Sequence, residues 1–162
     1  MRVDDTSSEN PSADGLRIAV VTATFNSSVT SGLTEGALSY LESSGADEVL
    51  SVEVPGAFEL PLVAQHLALT GYDAVVCLGA VIEGDTDHYE HVAHRASEGL
   101  MRVQLDTGTP IAFGILTTTS ADAAIQRSRP GAQNKGREAA IAAVQTAQVL
   151  AALDTGGPMV GA

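Results

Sequence analysis

"AVVCLGAVI" (Ala74–Ile82) decides the fold, because an unbroken apolar run of this length is typical of a strand buried on both faces of a sheet. Three other segments have strand patterns: "LRIAVVTAT" (Leu16–Thr24), the alternating "EVLSVEV" (Glu48–Val54) and "PIAFGILTT" (Pro110–Thr118). Helical patterns separate these strands, so the order is β-α-β-α-β-α-β-α-α. Such alternation predicts an α/β protein, a three-layer α/β/α sandwich with a four-stranded parallel, flavodoxin-like sheet and right-handed crossovers.

Five helices are predicted from their caps and apolar stripes. Ser27 or Ser28 is expected to cap the first helix, which ends at Gly45. Its apolar stripe comprises Val29, Leu33, Ala37, Tyr40 and Leu41. The second helix follows the Pro55-Gly56 turn and ends near Gly71, and the third runs through "HYEHVAHRASEGLMRVQLDTG" to Gly108. The fourth extends from a Ser120 cap to about Arg127, and the fifth occupies "KGREAAIAAVQTAQVLAAL".

The 162 residues predict one domain over residues 15–154, with a flexible N-terminal tail at 1–14 and a frayed C-terminal tail at 155–162. The polar start is not expected to act as a signal peptide, and no segment reaches the ~18 apolar residues of a membrane span. A cytoplasmic location is therefore expected. The net charge of −12 argues against a nucleic-acid partner. The single cysteine, Cys77, fits a buried structural thiol better than a catalytic one.

A ligand site is expected outside the carboxyl ends of the parallel strands. Phe25 and Asn26 follow the first strand, and Phe58 and Glu59 follow the second. An aromatic ring beside an amide can hold a flat heterocycle by stacking and by hydrogen bonds to its edge. Core packing is the alternative for Phe25. Phe113 lies early in the fourth strand, so it is either a core residue or a contribution to the site of a neighbouring subunit in a homo-oligomer.

The third strand ends in "VIEGDTDH", a glycine-containing turn that leads into a helix. Free N–H groups at a helix N-terminus suit an anion, and the Thr86 hydroxyl can add to them. The acids Glu83, Asp85 and Asp87 oppose an anion unless their side chains face water. His88, at the junction, is the best candidate for general acid–base catalysis.

His88, His91 and His94 are spaced by three, and with Asp87 they could form a metal site. Residues spaced by three drift by roughly 60° per step around a helix, so three such ligands converge poorly. We therefore expect no metal there, and place His91 and His94 on the helix surface.

The segment "RSRPGAQNKGR" (Arg127–Arg137) contains four of the eight Lys and Arg residues. In so acidic a chain, this clustering indicates a local pocket for an anionic substrate. Arg127 can bind phosphate bidentately and Lys135 can add a point charge, with Glu138 one turn away to hold the lysine. Arg129 and Arg137 are expected at the surface. Together these residues predict a phosphate-bearing substrate, a flat ring partner and a histidine for proton transfer.

With these residues assembled, the chain resembles the lumazine synthase family, the penultimate enzymes of riboflavin biosynthesis. The resemblance covers roughly residues 15–153. The matching stretches, in order, are "TFN", "VPGAFELP", "LGAVIEGDTDHYEHV", "PIAFGILTT" and "IQRSRPGAQNKG". It implies a transferase without metal or organic cofactor, which condenses 5-amino-6-(D-ribitylamino)uracil with 3,4-dihydroxy-2-butanone 4-phosphate to 6,7-dimethyl-8-ribityllumazine.

The resemblance also implies a role for each matching position. Phe25 would stack on the uracil, Val81 and Ile82 would meet it through their backbone, and Phe113 would come from the adjacent subunit. The ribityl chain would be held by Asn26, Ala57, Phe58 and Glu59. The phosphate would be bound by Gly84, Asp85, Thr86 and Arg127, with Lys135 nearby. His88 would transfer protons. Many family members carry a basic residue at position 83 and a small or neutral one at 85, where this chain has acids.

Family members form pentamers, and some form icosahedral shells of sixty subunits. The short connection "SRPGAQ" before "NKG" is compatible with a shell, and riboflavin synthase is a candidate partner. Two other functions share parts of this pattern, an archaeal-type riboflavin synthase and a shell-forming structural protein without catalysis. The basic cluster argues against the first, since that reaction needs no phosphate pocket. The set Phe25, Glu59, His88 and Arg127 argues against the second.

Overall fold

The computed structural model describes residues 10–156 and contains the predicted elements in the predicted order. The strands are β1 (Arg17–Ala23), β2 (Glu48–Val54), β3 (Ala74–Ile82) and β4 (Ile111–Thr118). The helices are α1 (Ser27–Ser43), α2 (Leu60–Leu69), α3 (His88–Thr107), α4 (Ala121–Arg127) and α5 (Lys135–Thr155). A single 3-10 turn, Ala57–Glu59, precedes α2. Within the described range, no helix is both long and apolar enough to cross a membrane.

The four strands form one parallel sheet in the order β2-β1-β3-β4. This arrangement confirms the predicted three-layer α/β/α fold. β3 is buried from Ala74 to Ala80, as its unbroken apolar sequence requires, because helices cover both faces. Since the connection from β1 leads to one side and β3 pairs on the other, the sheet has a switch point between β1 and β3, where open parallel sheets bind ligands.

The alternation of side chains along β3 supplies both halves of the core. Val76 and Leu78 pack on the side of α1 and α5, whereas Val75 and Cys77 pack on the side of α2 and α3. Cys77 is fully buried, which confirms a structural thiol. The predicted stripe of α1 is also confirmed, since all five of its residues are buried.

The predicted cap of α1 is wrong. The N-cap is Asn26 rather than Ser27 or Ser28, and its side chain makes no capping hydrogen bond. Asn26 has φ 63° and ψ 47°, a left-handed conformation that Asn tolerates better than most residues do. Its side-chain amide instead donates a hydrogen bond to β3.

The predicted N-terminal tail falls mostly outside the described residues, which begin at Asn10. Where the structure describes this segment, it packs on the domain. Ala13 is fully buried, and the Tyr40 hydroxyl donates a 2.7 Å hydrogen bond to the carbonyl of Pro11. At the other end, α5 continues to Thr155 and is capped by Gly156 with φ 66°, while residues 157–162 lie outside the described range.

Candidate active site

A cavity of ≈ 650 Å³ lies at the carboxyl edge of the sheet, next to the switch point between β1 and β3. Its walls are the last residues of β1 and β3, the segments that follow β1, β2 and β3, and the first two turns of α3. Most of the predicted site residues line it: Phe25, Asn26, Ala57, Phe58, Glu59, Val81, Ile82, Gly84, Thr86 and His88.

Two aromatic rings stand exposed at this edge. Phe25 is 66% exposed and Phe58 is 65% exposed, so the core-packing alternative for Phe25 is wrong. The Phe25 ring lies against Gly56, where a Cβ would approach the ring to 2.8 Å. The backbone N–H of Phe25 also donates to the carbonyl of Pro55 at 3.0 Å. The Cδ2–Cε2 side of the ring therefore packs on Gly56, and most of the ring is open to a flat ligand.

Asn26 and Glu59 are each oriented by one hydrogen bond. The Asn26 amide nitrogen donates to the carbonyl of Ala80 at 2.9 Å. The Glu59 carboxylate accepts from the backbone N–H of Gly56 through Oε2 at 3.0 Å. Each side chain keeps an oxygen, Oδ1 of Asn26 and Oε1 of Glu59, that can accept from a hydroxyl-rich ligand.

The cavity also contains the N-terminus of α3, a helix of 20 residues. Gly84, Thr86 and His88 reach the cavity from this turn. The Thr86 Oγ1 accepts from the His88 N–H at 3.4 Å, so its hydroxyl hydrogen is free for a ligand. The positive end of the α3 dipole favours an anion here.

The sequence interpretation missed the next turn of α3. Tyr89, His91, Val92 and Arg95 also line the cavity. His91 is exposed, as predicted, but it lies on the cavity side of the helix, and its Nε2 is 3.4 Å from Oδ2 of Asp87. The available signal was helical periodicity, since residues three and seven positions after His88 share its face. Over residues 10–156, no three His, Cys, Asp or Glu side chains are placed to hold a metal ion.

Four predicted site residues do not line the cavity within the single chain: Asp85, Phe113, Arg127 and Lys135. Phe113 is 50% exposed on the edge strand β4, so a core role within this chain is wrong. Arg127 donates to the carbonyl of Ala123 in its own helix at 2.9 Å.

The predicted ion pair of Lys135 and Glu138 is confirmed, with Nζ 2.9 Å from the carboxylate. The prediction that Arg129 is a surface residue is also confirmed, since its side chain is exposed. Arg137 is partly exposed, and its guanidinium lies over the Tyr40 ring, 5.4 Å from the centroid.

Comparisons with known proteins identify the family. The sequence model of the family described as 6,7-dimethyl-8-ribityllumazine synthase matches residues 15–151. A protein of Caulobacter vibrioides named 6,7-dimethyl-8-ribityllumazine synthase 1 is 52% identical over 137 residues, which are 83% of this chain and 90% of that protein. Proteins named 6,7-dimethyl-8-ribityllumazine synthase from Salinibacter ruber and Desulfotalea psychrophila are 51% and 47% identical, over 87% and 89% of this chain and 92% and 95% of their own. The cavity at the switch point, the exposed ring of Phe25 and these matches agree, and the chain belongs to the 6,7-dimethyl-8-ribityllumazine synthase family.

Proposed function

We propose that this protein condenses 5-amino-6-(D-ribitylamino)uracil with 3,4-dihydroxy-2-butanone 4-phosphate, as a transferase of riboflavin biosynthesis. The products are 6,7-dimethyl-8-ribityllumazine, inorganic phosphate and two molecules of water. The observation that carries the proposal is the cavity that places the open face of Phe25 and the N-terminus of α3 within one site. A flat heterocycle and a phosphate ester are the two ligand types that these features suit.

The aminouracil is assigned to the side of the cavity formed by β1 and β3. Its ring stacks on Phe25, and its polar edge meets the backbone at Val81 and Ile82. The ribityl hydroxyls face the free oxygens of Asn26 and Glu59, next to Ala57 and Phe58. This assignment uses each of the two oriented acceptors once.

The phosphate is assigned to the turn before α3. Gly84, Asp85 and Thr86 supply backbone N–H groups and a hydroxyl, and Arg127 and Lys135 supply positive charge. Neither cation lines the cavity of its own chain. We therefore assign both, together with Phe113, to the site of a neighbouring subunit.

The chemistry needs proton transfers but no metal or organic cofactor. The 5-amino group adds to the ketone carbonyl, and water leaves to form a Schiff base. A base then removes the proton at C3, the C–H electron pair forms a carbon–carbon double bond, and the C4–O bond breaks to release phosphate with its electron pair. Tautomerisation gives a ketone at C3, which the ribityl-bearing nitrogen attacks, with loss of a second water. His88 is placed to accept and return these protons.

The family and the exposed apolar side chains of the single chain support an oligomer with shared sites. Leu62, Leu69, Met101, Leu105 and Phe113 are all at least half exposed. A pentamer buries such surfaces by cyclic symmetry, and the short connection before Asn134 leaves a sixty-subunit shell open. The one buried cysteine needs no oxidising compartment, which supports a cytoplasmic location, and riboflavin synthase is the partner that would take up the product.

The two other functions considered are not favoured. An archaeal-type riboflavin synthase uses no phosphate ester and would give the α3 N-terminus no ligand. A shell protein without catalysis would leave the exposed Phe25 ring, and the acceptor oxygens that Asn26 and Glu59 keep in the cavity, without a ligand.

The test is the absorbance of the lumazine product, followed after mixing the purified protein with both substrates and corrected for the uncatalysed reaction. We expect the wild type to accelerate product formation. Arg127→Ala should raise the KM for the butanone phosphate about tenfold or more, since a charge-assisted bidentate contact is lost. Arg129→Ala, two residues away and exposed, is the matched control. A well-folded wild type without acceleration would contradict the proposed reaction.

A further inference from the structure

Among the described residues outside the cavity, the side chain of Asn134 makes the largest number of hydrogen bonds. It is 2% exposed and caps the N-terminus of α5. Its Oδ1 accepts from the backbone N–H groups of Gly136 at 2.9 Å and Arg137 at 3.0 Å. Its Nδ2 lies 2.9 Å from the carbonyl of Ser128 and 3.0 Å from those of Gly32 and Arg129. Two N–H bonds are thus shared among three carbonyls, and the amide is saturated.

These bonds join the two ends of the loop formed by residues 128–134, which connects Arg127 to Lys135. Ser128 and Arg129 directly follow Arg127, and Asn134 directly precedes Lys135. One side chain therefore fixes the backbone beside Arg127 to the backbone beside Lys135. The third carbonyl belongs to Gly32, so the same side chain also links the loop to α1.

Two glycines of α1 leave room for these contacts. A Cβ at Gly36 would overlap the amide of Asn134, and a Cβ at Gly32 would overlap the carbonyl of Ser128. The spacing of four places both glycines on one face of α1, towards α5. Larger residues at these positions would push the loop away from the domain.

We propose that Asn134 is a positioning residue that sets the placement of Arg127 relative to Lys135, and thereby the geometry in which the two cations bind the substrate phosphate. The inference rests on the proposed function for the identity of the anion. Asn134 does not reach the cavity, so it acts through the loop and not on the substrate. Without the Nδ2 bonds, three carbonyls lose their donor and the loop relaxes towards water.

Asn134→Ser separates this role from helix capping, because the serine hydroxyl can still cap α5 but cannot donate to the three carbonyls. Asn134→Asp is a second variant of nearly the same shape, which keeps both cap bonds and replaces the donor by a carboxylate oxygen. Val144→Ala is the matched stability control, since Val144 is buried in the same helix and distant from the loop in sequence.

The experiment compares the two KM values and adds a substrate without phosphate. Butane-2,3-dione and the aminouracil give the same lumazine with loss of two waters, so this reaction needs no phosphate pocket. In both Asn134 variants we expect the KM for the butanone phosphate to rise about tenfold. The KM for the aminouracil and the rate with the dione should stay within about twofold of the wild type. Val144→Ala should show no such difference between substrates.

The positioning role would be overturned if both KM values changed equally in the Asn134 variants. It would also be overturned if Val144→Ala raised the KM for the butanone phosphate but not the KM for the aminouracil. Calorimetric titration with inorganic phosphate separates this result from failure of the proposed reaction. If the wild type is inactive but binds phosphate, and Asn134→Ser weakens that binding, the positioning role stands and only the reaction is wrong. Phosphate binding unchanged in both Asn134 variants would overturn the role.

Discussion

The side-chain amide of Asn26 donates a 2.9 Å hydrogen bond to the carbonyl of Ala80 and so links the end of β1 to β3. Asn26 is also the left-handed residue from which α1 begins. Asn26 thus connects the two strands at the switch point, starts α1 and lines the cavity, where its side-chain oxygen can accept a hydrogen bond.

Two substitutions at position 26 separate the hydrogen bond from the backbone conformation. Asn26→Gly tolerates positive φ, so it should lower the free energy of unfolding by about 1 kcal/mol, the usual value of one hydrogen bond. Asn26→Ala should cost about 1 kcal/mol more, because a Cβ disfavours the left-handed region. Urea unfolding at a fixed protein concentration measures both. Equal stability of the two variants would show that the conformation carries no strain.

Features that depend on residues close together in the sequence were predicted correctly, whereas features that depend on contacts between distant segments were not. The strand β3 was predictable because its unbroken apolar run is a local signal. The Asn26 cap was not, because the bond that occupies its side chain goes to Ala80, 54 residues later. The cavity face of α3 shows the same limit. Helical spacing puts His88, His91 and Arg95 on one face of α3, but only the packing of α3 against the sheet decides which face meets the cavity.

Replacement of His88 should slow the reaction without abolishing it. Holding two substrates together contributes to catalysis independently of proton transfer, and general acid–base catalysis contributes about 100-fold at the lower end of its usual range. His88→Gln should therefore lower kcat by about 100-fold and leave a measurable excess over the uncatalysed rate. His94→Gln, on the same helix but outside the cavity lining, is the control. Complete loss of activity in His88→Gln would contradict this division of roles.

The acid at position 83 should weaken phosphate binding. The Glu83 side chain is exposed, while its N–H donates to the carbonyl of Thr118 at 2.9 Å, so substitution should leave the turn intact. Glu83→Arg should lower the KM for the butanone phosphate about threefold to tenfold, and added salt should reduce the difference. Glu35→Arg, on an exposed position of α1, makes the same change of net charge. A drop of equal size in that control would mean that net charge, not position 83, decides the KM.

If sites are shared between subunits, two damaged variants should complement each other. Phe25→Ser damages the cavity of its own chain, and Arg127→Ala damages the contribution to the neighbour. In mixed oligomers from co-expression, about a quarter of the sites combine two intact halves, and that share of wild-type activity should return when the butanone phosphate is held well below the wild-type KM. A mixture of Phe25→Ser and Phe58→Ser, both on the cavity side, should regain nothing. No recovery in the first mixture would place the whole site within one chain.

The buried thiol of Cys77 should make the fold sensitive to alkali. Burial raises the pKa of the Cys77 thiol from its ordinary value of 9.0 to about 12. The fold thus favours the neutral thiol, and this contribution is fully present below the unfolded pKa. Above it, the unfolded chain binds fewer protons than the native one, so stability falls as pH rises towards about 12.

Urea unfolding of the wild type and of Cys77→Ala over the range from about pH 8 to about pH 10 measures this contribution. Above the unfolded pKa, the wild type should lose stability relative to Cys77→Ala as the pH rises. The free energy of unfolding should fall by up to about 1.4 kcal/mol more per pH unit in the wild type than in the variant. Other alkaline titrations cancel because both proteins share them. As an independent check, an alkylating reagent should label Cys77 only after unfolding, since a buried neutral thiol is a poor nucleophile. Labelling of the folded protein at neutral pH would contradict the burial on which the pH prediction depends.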